Sequence, residues 1–205
     1  MKIRCAFFDF DKTIAHGDSI HKLLGYTFIH HPASLIYYVP VFIYGVGYLL
    51  HLVSKETCKS VLLFPLEVLN EGELYDFYAE KVVPSYYPHM VAEMKKRQEE
   101  GCQVFLVTAS VEAYMRFNKL PVDVLMGTLT KKKGSSYTSE VIGKNCKDEH
   151  KVERIDAYMK DKGWEIDYDH SYAYSDSKSD IPMLKLVKNR YKVDTHDGSL
   201  SEFLF

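Results

Sequence analysis

The sequence predicts an α/β fold with a doubly wound, mainly parallel sheet, and three observations support this fold class. Short apolar segments rich in aromatic and branched residues end abruptly in polar residues, which is typical of buried strands. Helical patterns separate these segments, and strands that alternate with helices indicate βαβ units. Between the first and second segments lies a long stretch of helical patterns alone, which predicts a helical insertion.

The predicted strands share one design, an apolar run that stops at carboxylates or hydroxyls. Parallel strands present their carboxyl ends at one edge of a sheet, where open α/β sheets bind ligands. We therefore expect the side chains that follow these strands to meet in one crevice. The strands are 3–8 before Asp9 and Asp11, 103–107 before Thr108 and Ser110, and 171–174 before Ser175 and Asp176, with a further sheet member around 191–193.

Helix boundaries are indicated by proline and glycine. A helix is predicted from Pro88, a good first-turn residue, to about residue 100, with Gly101 as its stop. Another is predicted over 149–162, where Gly163 ends the helix and a basic last turn suits the helix dipole. A third is expected to begin near Pro182. Glycines and threonines between 128 and 141 favour a hairpin over a helix.

The predicted insertion covers residues 17–85, and the predicted α/β core covers 1–16 and 86–205. The insertion is helical in pattern and is interrupted by Pro32, Pro40 and Pro65. It follows the first polar strand end and precedes the second, so it is expected to lie above the crevice as a cap. A cap in that place would exclude water and select the substrate.

Composition sets broad limits on function. A chain of 205 residues with 46% hydrophobic residues can form one domain with a sizeable insertion, and its net charge of -2 gives no indication of nucleic-acid binding. The four cysteines have neither paired zinc spacing nor a small disulfide framework, which favours a reducing cytoplasm. Asp9 and Asp11 interrupt the pattern of a signal peptide, so a cytoplasmic location is expected.

Asp9 and Asp11 are two residues apart at the end of a predicted strand. Side chains at that spacing share a face of an extended chain, so both carboxylates would enter one crevice. Two anions held close together repel each other, which raises a pKa unless a cation or a proton relieves them. The pair therefore predicts a metal site with one carboxylate free for chemistry. For an isolated pair, turn residues or helix caps would be the simpler interpretation.

Four ordered sequence elements then resemble the motifs of the haloacid dehalogenase superfamily of phosphatases. They are the run 9–13 (DFDKT), Thr108 at the end of an apolar strand, Lys151 within 145–155, and the segment 175–184 (SDSKSDIPML). The sequence segments 106–110 and 126–129 resemble those of the subfamily that includes phosphoserine phosphatases and phosphatidylglycerophosphatase C-like hydrolases. The resemblance implies a Rossmann-like core with an inserted helical cap, and phosphatase activity.

The resemblance also implies the chemistry of the site. Asp9 would be the nucleophile, forming an aspartyl-phosphate that water then hydrolyses. The side chain of Asp11 would protonate the leaving group and later deprotonate the water. Magnesium is the implied cofactor because a small hard ion suits oxygen ligands. Its implied ligands are Asp9, the backbone carbonyl of Asp11, and Asp176.

Further roles are implied for the residues around this centre. Thr108, Lys151 and Ser110 would hold phosphate oxygens. Asp180, Thr13 and Ser179 would support them from a second layer, although Ser179 stands where phosphoserine phosphatases usually have asparagine. Asp18 and Lys59 are the nearest counterparts of the cap residues that select phosphoserine, but lysine lacks the bidentate fork of arginine.

Alternatives remain open for several of these residues. Lys147 competes with Lys151, because both lie close to the start of the same predicted helix. Asp180 precedes Pro182 and could be a helix N-cap instead of, or as well as, a site residue. Ser110 could cap the helix that follows it. Lys12 replaces a small residue of many relatives, and its side chain either contacts the phosphate or points outward.

Residues 23–54 contain no aspartate, glutamate, lysine or arginine. A bilayer span needs ~20 apolar residues, but a single span here would separate Asp9 and Thr108, which must share one site. Two interpretations remain. Either the segment is the core of a helical cap with Tyr37, Tyr38, Tyr44 and Tyr48 at its surface, or the cap lies in the plane of a membrane surface and admits a lipid phosphate.

The predicted function is a magnesium-dependent phosphatase that hydrolyses a phosphomonoester of a small molecule or a lipid-linked substrate. The first alternative is a lipid phosphatase at a membrane surface, similar to phosphatidylglycerophosphatases, in which case the cytoplasmic protein associates peripherally with the membrane. The second is a non-catalytic protein that binds a phosphorylated ligand. No nucleic-acid partner is expected.

Overall fold

The computed structural model describes residues 1–134 and 136–204, and at Lys55 and Glu56 it describes the backbone alone. The central element is a six-stranded sheet, accompanied by two smaller two-stranded sheets. The strands are β1 (Lys2–Ile3), β2 (Cys5–Phe8), β3 (Gln103–Val111), β4 (Val124–Thr128), β5 (Thr130–Lys133), β6 (Ser136–Val141), β7 (Glu165–Ile166), β8 (Tyr172–Ser175), β9 (Asn189–Val193) and β10 (Leu200–Glu202).

The six strands follow the order β10-β9-β8-β2-β3-β4, and only β10 runs antiparallel to its neighbour. The strand β2 lies between β3 and β8, so the chain builds outward from β2 first on one side and then on the other. Such a reversal of strand order creates a crevice at the carboxyl ends of the strands. The predicted doubly wound, mainly parallel sheet is therefore confirmed.

Helices cover both faces of this sheet and fill the region between β2 and β3. The α-helices are α1 (Ser19–His30), α2 (Tyr38–Leu49), α3 (Lys55–Leu62), α4 (Pro65–Val68), α5 (Glu71–Phe77), α6 (Pro88–Glu99), α7 (Glu112–Met115), α8 (Glu149–Lys162) and α9 (Ile181–Leu184). Short 3-10 helices lie at Pro32–Tyr37, Val83–Ser85, Tyr168–His170 and Lys178–Asp180, and a π-helical turn at Tyr78–Val82.

Most predicted elements occur where the sequence places them. The helices from Pro88 and Glu149 are present, and Gly101 and Gly163 follow them at φ +82° and +64°, a conformation that favours glycine. The hairpin predicted over 128–141 is formed by β5 and β6. The first strand differs from the prediction because it is divided at Arg4, where the chain leaves β7 and joins the main sheet.

The strand β2 shows how the sheet separates two hydrophobic layers. Successive side chains of a strand point to opposite faces. Ala6 and Phe8 pack in the cluster that contains Met90 of α6, whereas Phe7 packs in the cluster that contains Ile155 of α8. All of these side chains are buried. A strand that is apolar on both faces therefore occupies the centre of the molecule, as a parallel sheet requires.

The described residues between Ala15 and Tyr86 form helices and turns only. Within this helical segment α1 packs on α4 and α2 packs on α3, while α3 and α4 also contact the hairpin strand β6. Residues 23–54, which contain no aspartate, glutamate, lysine or arginine, are called the uncharged stretch. Of its two interpretations, the buried cap core is wrong for α2, because none of the residues of α2 is buried. Hydrophobic composition predicts an apolar surface, but not whether another element covers it.

Candidate active site

Three adjacent strands bring the predicted site residues to one edge of the sheet. Asp9 follows β2 directly, and its backbone N–H donates to the carbonyl of Tyr174 in β8 at 3.1 Å. Asp176 follows β8, and Thr108 lies within the neighbouring β3. Together with Asp11 and Lys151, these residues line one polar pocket of about 190 Å³. The crevice expected from the strand ends is therefore present.

Lys151 joins two buried carboxylates at the base of this pocket. Its ammonium donates to Asp9 Oδ1 at 2.6 Å and to Asp180 Oδ2 at 2.9 Å. Asp180 Oδ2 also accepts from the hydroxyl of Ser175 at 2.7 Å. The structure thus places Lys151, rather than Lys147, against Asp9, although Lys147 also lines the pocket. Lys151 projects from the first turn of α8, which positions it opposite the end of β2.

The charges in this cluster depend on each other. Burial raises the pKa of Asp9, and Lys151 opposes that shift while Asp180 and Asp11 add to it. Burial alone would lower the pKa of Lys151, but Asp9 and Asp180 outweigh burial and raise it. Lys151 therefore stays positively charged between two acids. One buried cation does not neutralise both carboxylates, so a second cation at this site would balance the remaining negative charge.

Asp11 is held by Ser19, which the sequence did not identify, and by Ser110, which was expected to contact phosphate. Its Oδ1 accepts from the backbone N–H of Ser19 at 2.6 Å, and its Oδ2 accepts from the hydroxyl of Ser110 at 2.6 Å. The hydroxyl of Ser19 also contacts Tyr114 Oη at 2.9 Å. Burial raises the pKa of Asp11, while the hydrogen bonds from Ser110 and Ser19 oppose that shift. A raised pKa makes this carboxyl group easier to protonate than an ordinary aspartate side chain.

Other hydroxyl groups around the pocket form hydrogen bonds with the backbone of its loops. Thr108 Oγ1 accepts from the backbone N–H of Ser110 at 3.0 Å. The side chain of Ser177 accepts from the backbone N–H of Ser179 at 3.1 Å, and both serines line the pocket. Ser110 does not cap α7, because Val111 occupies the N-cap position and makes no side-chain cap bond. That alternative for Ser110 is wrong, and its hydroxyl instead contacts Asp11.

Asp180 combines a position at a helix start with a place in the buried cluster. It occupies the N-cap position of α9 but makes no side-chain cap bond. Its Oδ2 is engaged by Lys151 and Ser175, whereas Oδ1 is buried and has no hydrogen-bond partner among the residues described. An unpartnered buried carboxylate oxygen is costly. Its side chain therefore belongs to the site rather than to a helix cap.

The donor set of the pocket fits a hard divalent cation. The hydroxyl of Thr13 lies 3.5 Å from Asp9 Oδ2 and 3.4 Å from Asp176 Oδ1, so both carboxylates lie beside the same hydroxyl. Burial raises the pKa of Asp176, while Lys12 and the hydroxyl of Thr13 oppose that shift. Carboxylate and carbonyl oxygens are the ligands that Mg²⁺ prefers. Within the described chain no three His, Cys, Asp or Glu side chains cluster as ligands, but the resemblance requires only two carboxylates and a carbonyl.

Lys12 and Asp18 form an ion pair at the entrance of the pocket. Lys12 Nζ lies 2.7 Å from Asp18 Oδ2, and both residues line the pocket. Lys12 itself has φ +61°, a left-handed conformation that costs roughly 1–2 kcal/mol for a residue other than glycine. The loop after Asp9 is therefore held in a strained form. The side chain of Lys12 turns toward Asp18 of the helical segment and is partly exposed.

Lys59 is the one predicted selectivity residue that reaches the core from α3. Its ammonium donates to the carbonyl of Ala109 at 2.6 Å and to Thr128 Oγ1 at 3.2 Å, and it also contacts the side-chain oxygen of Asn145. Thr128 and Asn145 were not predicted as site residues. These bonds connect the helical segment to the loop beside Thr108, so the ammonium of Lys59 is shared among protein acceptors.

A second cavity of about 320 Å³ adjoins the polar pocket. The two share Asp11, Asp18, Ala109 and Lys147 in their walls. Most of the remaining wall is apolar and comes from the helical segment and from β3. It includes Ile20, Tyr48, Cys58, Leu62, Leu63, Val111 and Tyr114. A ligand that fills both spaces would place a polar group at Asp9 and an apolar group below α2 and α3.

Comparison with known proteins agrees with this fold. The sequence profile described as haloacid dehalogenase-like hydrolase matches residues 6–185. A histidinol-phosphatase from Neisseria meningitidis serogroup C (strain 8013) is 26% identical over 140 residues, which is 64% of this chain and 63% of that protein. The match thus spans less than two thirds of that relative.

Solved structures share the fold over nearly the whole chain. A protein of unknown function from Bordetella pertussis Tohama I superposes with a TM-score of 0.77 at 21% identity, covering 93% of this chain and 89% of the other. A phospho-aspartyl intermediate analogue of phosphoserine phosphatase gives a TM-score of 0.64 at 18% identity, covering 93% and 86%. A substrate-bound phosphoserine phosphatase superposes with a TM-score of 0.64 at 17% identity, covering 93% of this chain and 85% of the other.

Proposed function

Because the chain belongs to the haloacid dehalogenase-like hydrolases, we propose that it is a magnesium-dependent phosphatase that hydrolyses a phosphomonoester through an aspartyl-phosphate. One observation supports this proposal most strongly. Asp9 lies at the carboxyl end of the central strand, its Oδ1 bonded to Lys151 at 2.6 Å and its Oδ2 beside Thr13 and Asp176. A carboxylate so placed has a cation on one side and an open polar pocket on the other.

The chemistry follows from the contacts of Asp9 and Asp11. A carboxylate oxygen of Asp9 forms a bond to phosphorus while the bond from phosphorus to the leaving oxygen breaks. Asp11, whose pKa is raised by burial, gives a proton to the leaving oxygen. It then takes a proton from the water that attacks the aspartyl-phosphate, which restores both carboxyl groups. Ser19 and Ser110 keep Asp11 oriented during both transfers.

The charge of the transferring group is balanced by Lys151 and by groups near it. The ammonium of Lys151 is fixed by Asp180, so it needs no reorganisation when charge develops on the phosphoryl oxygens. Thr108 lines the same pocket and can donate its hydroxyl proton to a phosphate oxygen. Asp9, Asp176 and the carbonyl of Asp11 would hold Mg²⁺, which keeps Asp9 ionised and polarises the phosphate when it is bound.

The helical segment from residue 17 to residue 85 would act as a cap over this site. Two contacts support that role, because Ser19 at its start bonds to Asp11 and Lys59 bonds to Ala109 and Thr128 of the core. The segment joins the core at the bridge between Ala15 and Tyr86. We place the hinges at residues 15–18 and 84–88. Opening there would break the bonds of Ser19 and Lys59 and expose the pocket for exchange.

Turnover of p-nitrophenyl phosphate is expected to depend on a divalent metal. Treatment with EDTA should abolish hydrolysis, and added Mg²⁺ should restore it, because without the ion Asp9 is partly protonated and the phosphate is less polarised. The measurement is the steady-state rate before and after chelation. Absent activity would instead favour a protein that only binds phosphorylated ligands, and activity that EDTA leaves unchanged would contradict the dependence on a metal.

The apolar cavity favours a second, more specific candidate, a lipid-linked phosphate as the substrate. Its apolar walls adjoin the polar pocket at Asp11, where the leaving group would lie. In contrast, a charged leaving group such as serine would meet a lysine, Lys59, whose ammonium already bonds to Ala109 and Thr128. Apolar walls beside the reacting centre suit an alkyl or acyl chain.

Alkyl phosphates of increasing chain length should therefore show a falling KM. Each methylene that enters the cavity is expected to lower KM by roughly fourfold, as burial of a CH₂ group contributes about 0.8 kcal/mol. The measurement compares kcat and KM from short to long chains, with phosphoserine as the polar reference. If phosphoserine has the highest kcat/KM and chain length has no effect, the lipid-linked substrate is excluded, whereas the phosphatase activity itself is not.

A further inference from the structure

The helix α2 and the 3-10 turn before it present a broad apolar face to solvent. We call the outward side chains of this region, Leu35, Ile36, Val39, Phe42, Ile43, Val46, Leu49 and Leu50, the α2 face. They recur at intervals of three, four and seven residues, so they lie along one side of the helix. Phe42 is 73% exposed and Leu49 is 75% exposed. Contiguous apolar surface of this kind marks an interaction site.

Tyrosines at the start of α2 and on its opposite side contact the rest of the protein. Tyr38 donates its hydroxyl to the carbonyl of Leu24 at 2.8 Å, and the rings of Tyr37 and Tyr38 pack against Phe64. Tyr48 lines the apolar cavity. These contacts fix the orientation of α2 so that its aliphatic side chains point outward, although Tyr37, Tyr44 and Tyr48 are themselves 44%, 37% and 42% exposed. Solvent exposure of the α2 face is a consequence of the fold itself.

The charge pattern identifies what the α2 face is suited to contact. From residue 23 to residue 54 the sequence has no aspartate, glutamate, lysine or arginine, so α2 and its flanking turns contribute no such charged side chain to the face. A protein interface normally has a polar rim and direct hydrogen bonds around its apolar centre. The window Pro32–Leu49 has a mean hydropathy of 1.3, and 6% of it is buried, which fits hydrocarbon better than a folded partner. A buried core helix would pass the same hydropathy test, but it would not be exposed.

The geometry of the chain excludes a crossing of the bilayer and favours contact in its plane. The helix α2 ends at Leu49, and the chain turns back through His51, which has φ +58°, to α3. The helix α3 packs on α2 and carries Lys59 into the core. Both ends of α2 thus return to the same side. We propose that the α2 face docks on the surface of a lipid bilayer, with its aliphatic side chains inserted among the acyl chains and the active-site pocket above the headgroups.

The docking proposal stands on exposure and charge alone and does not depend on the phosphatase reaction. It is tested by flotation of the purified full-length protein with phosphatidylcholine vesicles in a density gradient. The wild type should float, and high salt should leave the bound fraction unchanged, because apolar burial rather than charge drives the contact. The double variant Phe42→Asp/Leu49→Asp should reduce the partition coefficient at least about tenfold, since two large side chains lose their burial.

Matched controls keep this test interpretable. Leu204 is 80% exposed outside the α2 face, so Leu204→Asp should float like the wild type. All three proteins should hydrolyse p-nitrophenyl phosphate at the same rate and unfold at the same temperature, because the changed side chains touch neither pocket. A wild type that stays at the bottom of the gradient overturns the proposal, as does a double variant that floats equally well. If the wild type instead sediments as a dimer that Phe42→Asp/Leu49→Asp dissociates, and neither floats, a second copy covers the face.

Discussion

Replacement of Asp9 by asparagine is expected to lower kcat for p-nitrophenyl phosphate by at least about 10⁴-fold, as loss of a nucleophile removes the whole covalent route. An amide oxygen is a poor nucleophile and carries no charge, although it has nearly the same shape as a carboxylate. The fold should persist, because Lys151 keeps Asp180 as its partner and one buried acid is removed. The measurement is kcat at saturating substrate and Mg²⁺, together with the thermal unfolding temperature.

The matched control for this variant is Asp156→Asn on the exposed side of α8. It makes the same chemical change outside the site and should leave kcat unaltered. Asp9→Asn should also still bind inorganic phosphate or vanadate, since Lys151 and Thr108 remain. A variant that is folded and retains wild-type turnover would contradict the assignment of Asp9.

Replacement of Lys151 by methionine is expected to lower the free energy of unfolding by about 3–5 kcal/mol, because it leaves buried carboxylates without their cation. In the native protein its ammonium lies 2.6 Å from Asp9 Oδ1 and 2.9 Å from Asp180 Oδ2, and the side chain is 2% exposed. Methionine has similar length and fills the same space. The lost stability therefore reflects the missing charge rather than a new cavity. Activity should fall as well, since the phosphoryl group loses its fixed cation.

The pH dependence of this effect has a definite sign. Without Lys151, the pKa of Asp9 in the folded state should rise further above its value in the unfolded chain, because burial disfavours the charged form and Lys151 no longer opposes that shift. The destabilisation should therefore be greatest at neutral pH, where the unfolded chain ionises freely, and smaller near pH 5. The measurement is the free energy of unfolding by urea, in the presence of EDTA, at neutral pH and at pH 5. The double variant Lys151→Met/Asp180→Asn should recover part of the loss at neutral pH, whereas a cost below about 1 kcal/mol would place Lys151 outside the buried cluster.

Much of the site could be predicted because its residues follow local sequence signals. Asp9, Thr108 and Asp176 end apolar strands, and parallel strands necessarily bring such ends together. Lys151 belongs to the first turn of a helix whose start and stop were visible in the sequence. The order of these elements and the resemblance they carry were sufficient for the family, the fold class and the location of the pocket.

The residues that were missed depend on contacts between distant parts of the chain. Ser19 meets Ser110 and Tyr114 across 91 and 95 residues, and Lys59 meets Asn145 across 86. None of these contacts has a local motif, because each arises only when the helical segment packs against the core. Lys147 was named as a rival of Lys151, and the structure places it in the walls of both cavities instead.

The uncharged stretch shows a different limit of sequence analysis. Its composition correctly indicated an apolar helix, and its prolines did not prevent helix formation in α2, where Pro40 lies in the first turn. The interpretation as a buried cap core failed because periodicity reveals which face is apolar, not what covers it. Of the four tyrosines expected at the surface, Tyr37, Tyr44 and Tyr48 are exposed, and the aliphatic residues beside them are exposed as well.

Transient attachment of phosphorus to the side chain that follows β2 can be observed directly. Protein mixed with p-nitrophenyl phosphate and Mg²⁺ is quenched within one turnover and reduced with borohydride, which converts an acyl phosphate to an alcohol. Peptide mass spectrometry should then find homoserine at position 9 and aspartate at position 11. Unmodified aspartate at position 9 in an enzyme that is turning over substrate, or homoserine at position 11 instead, would contradict the mechanism.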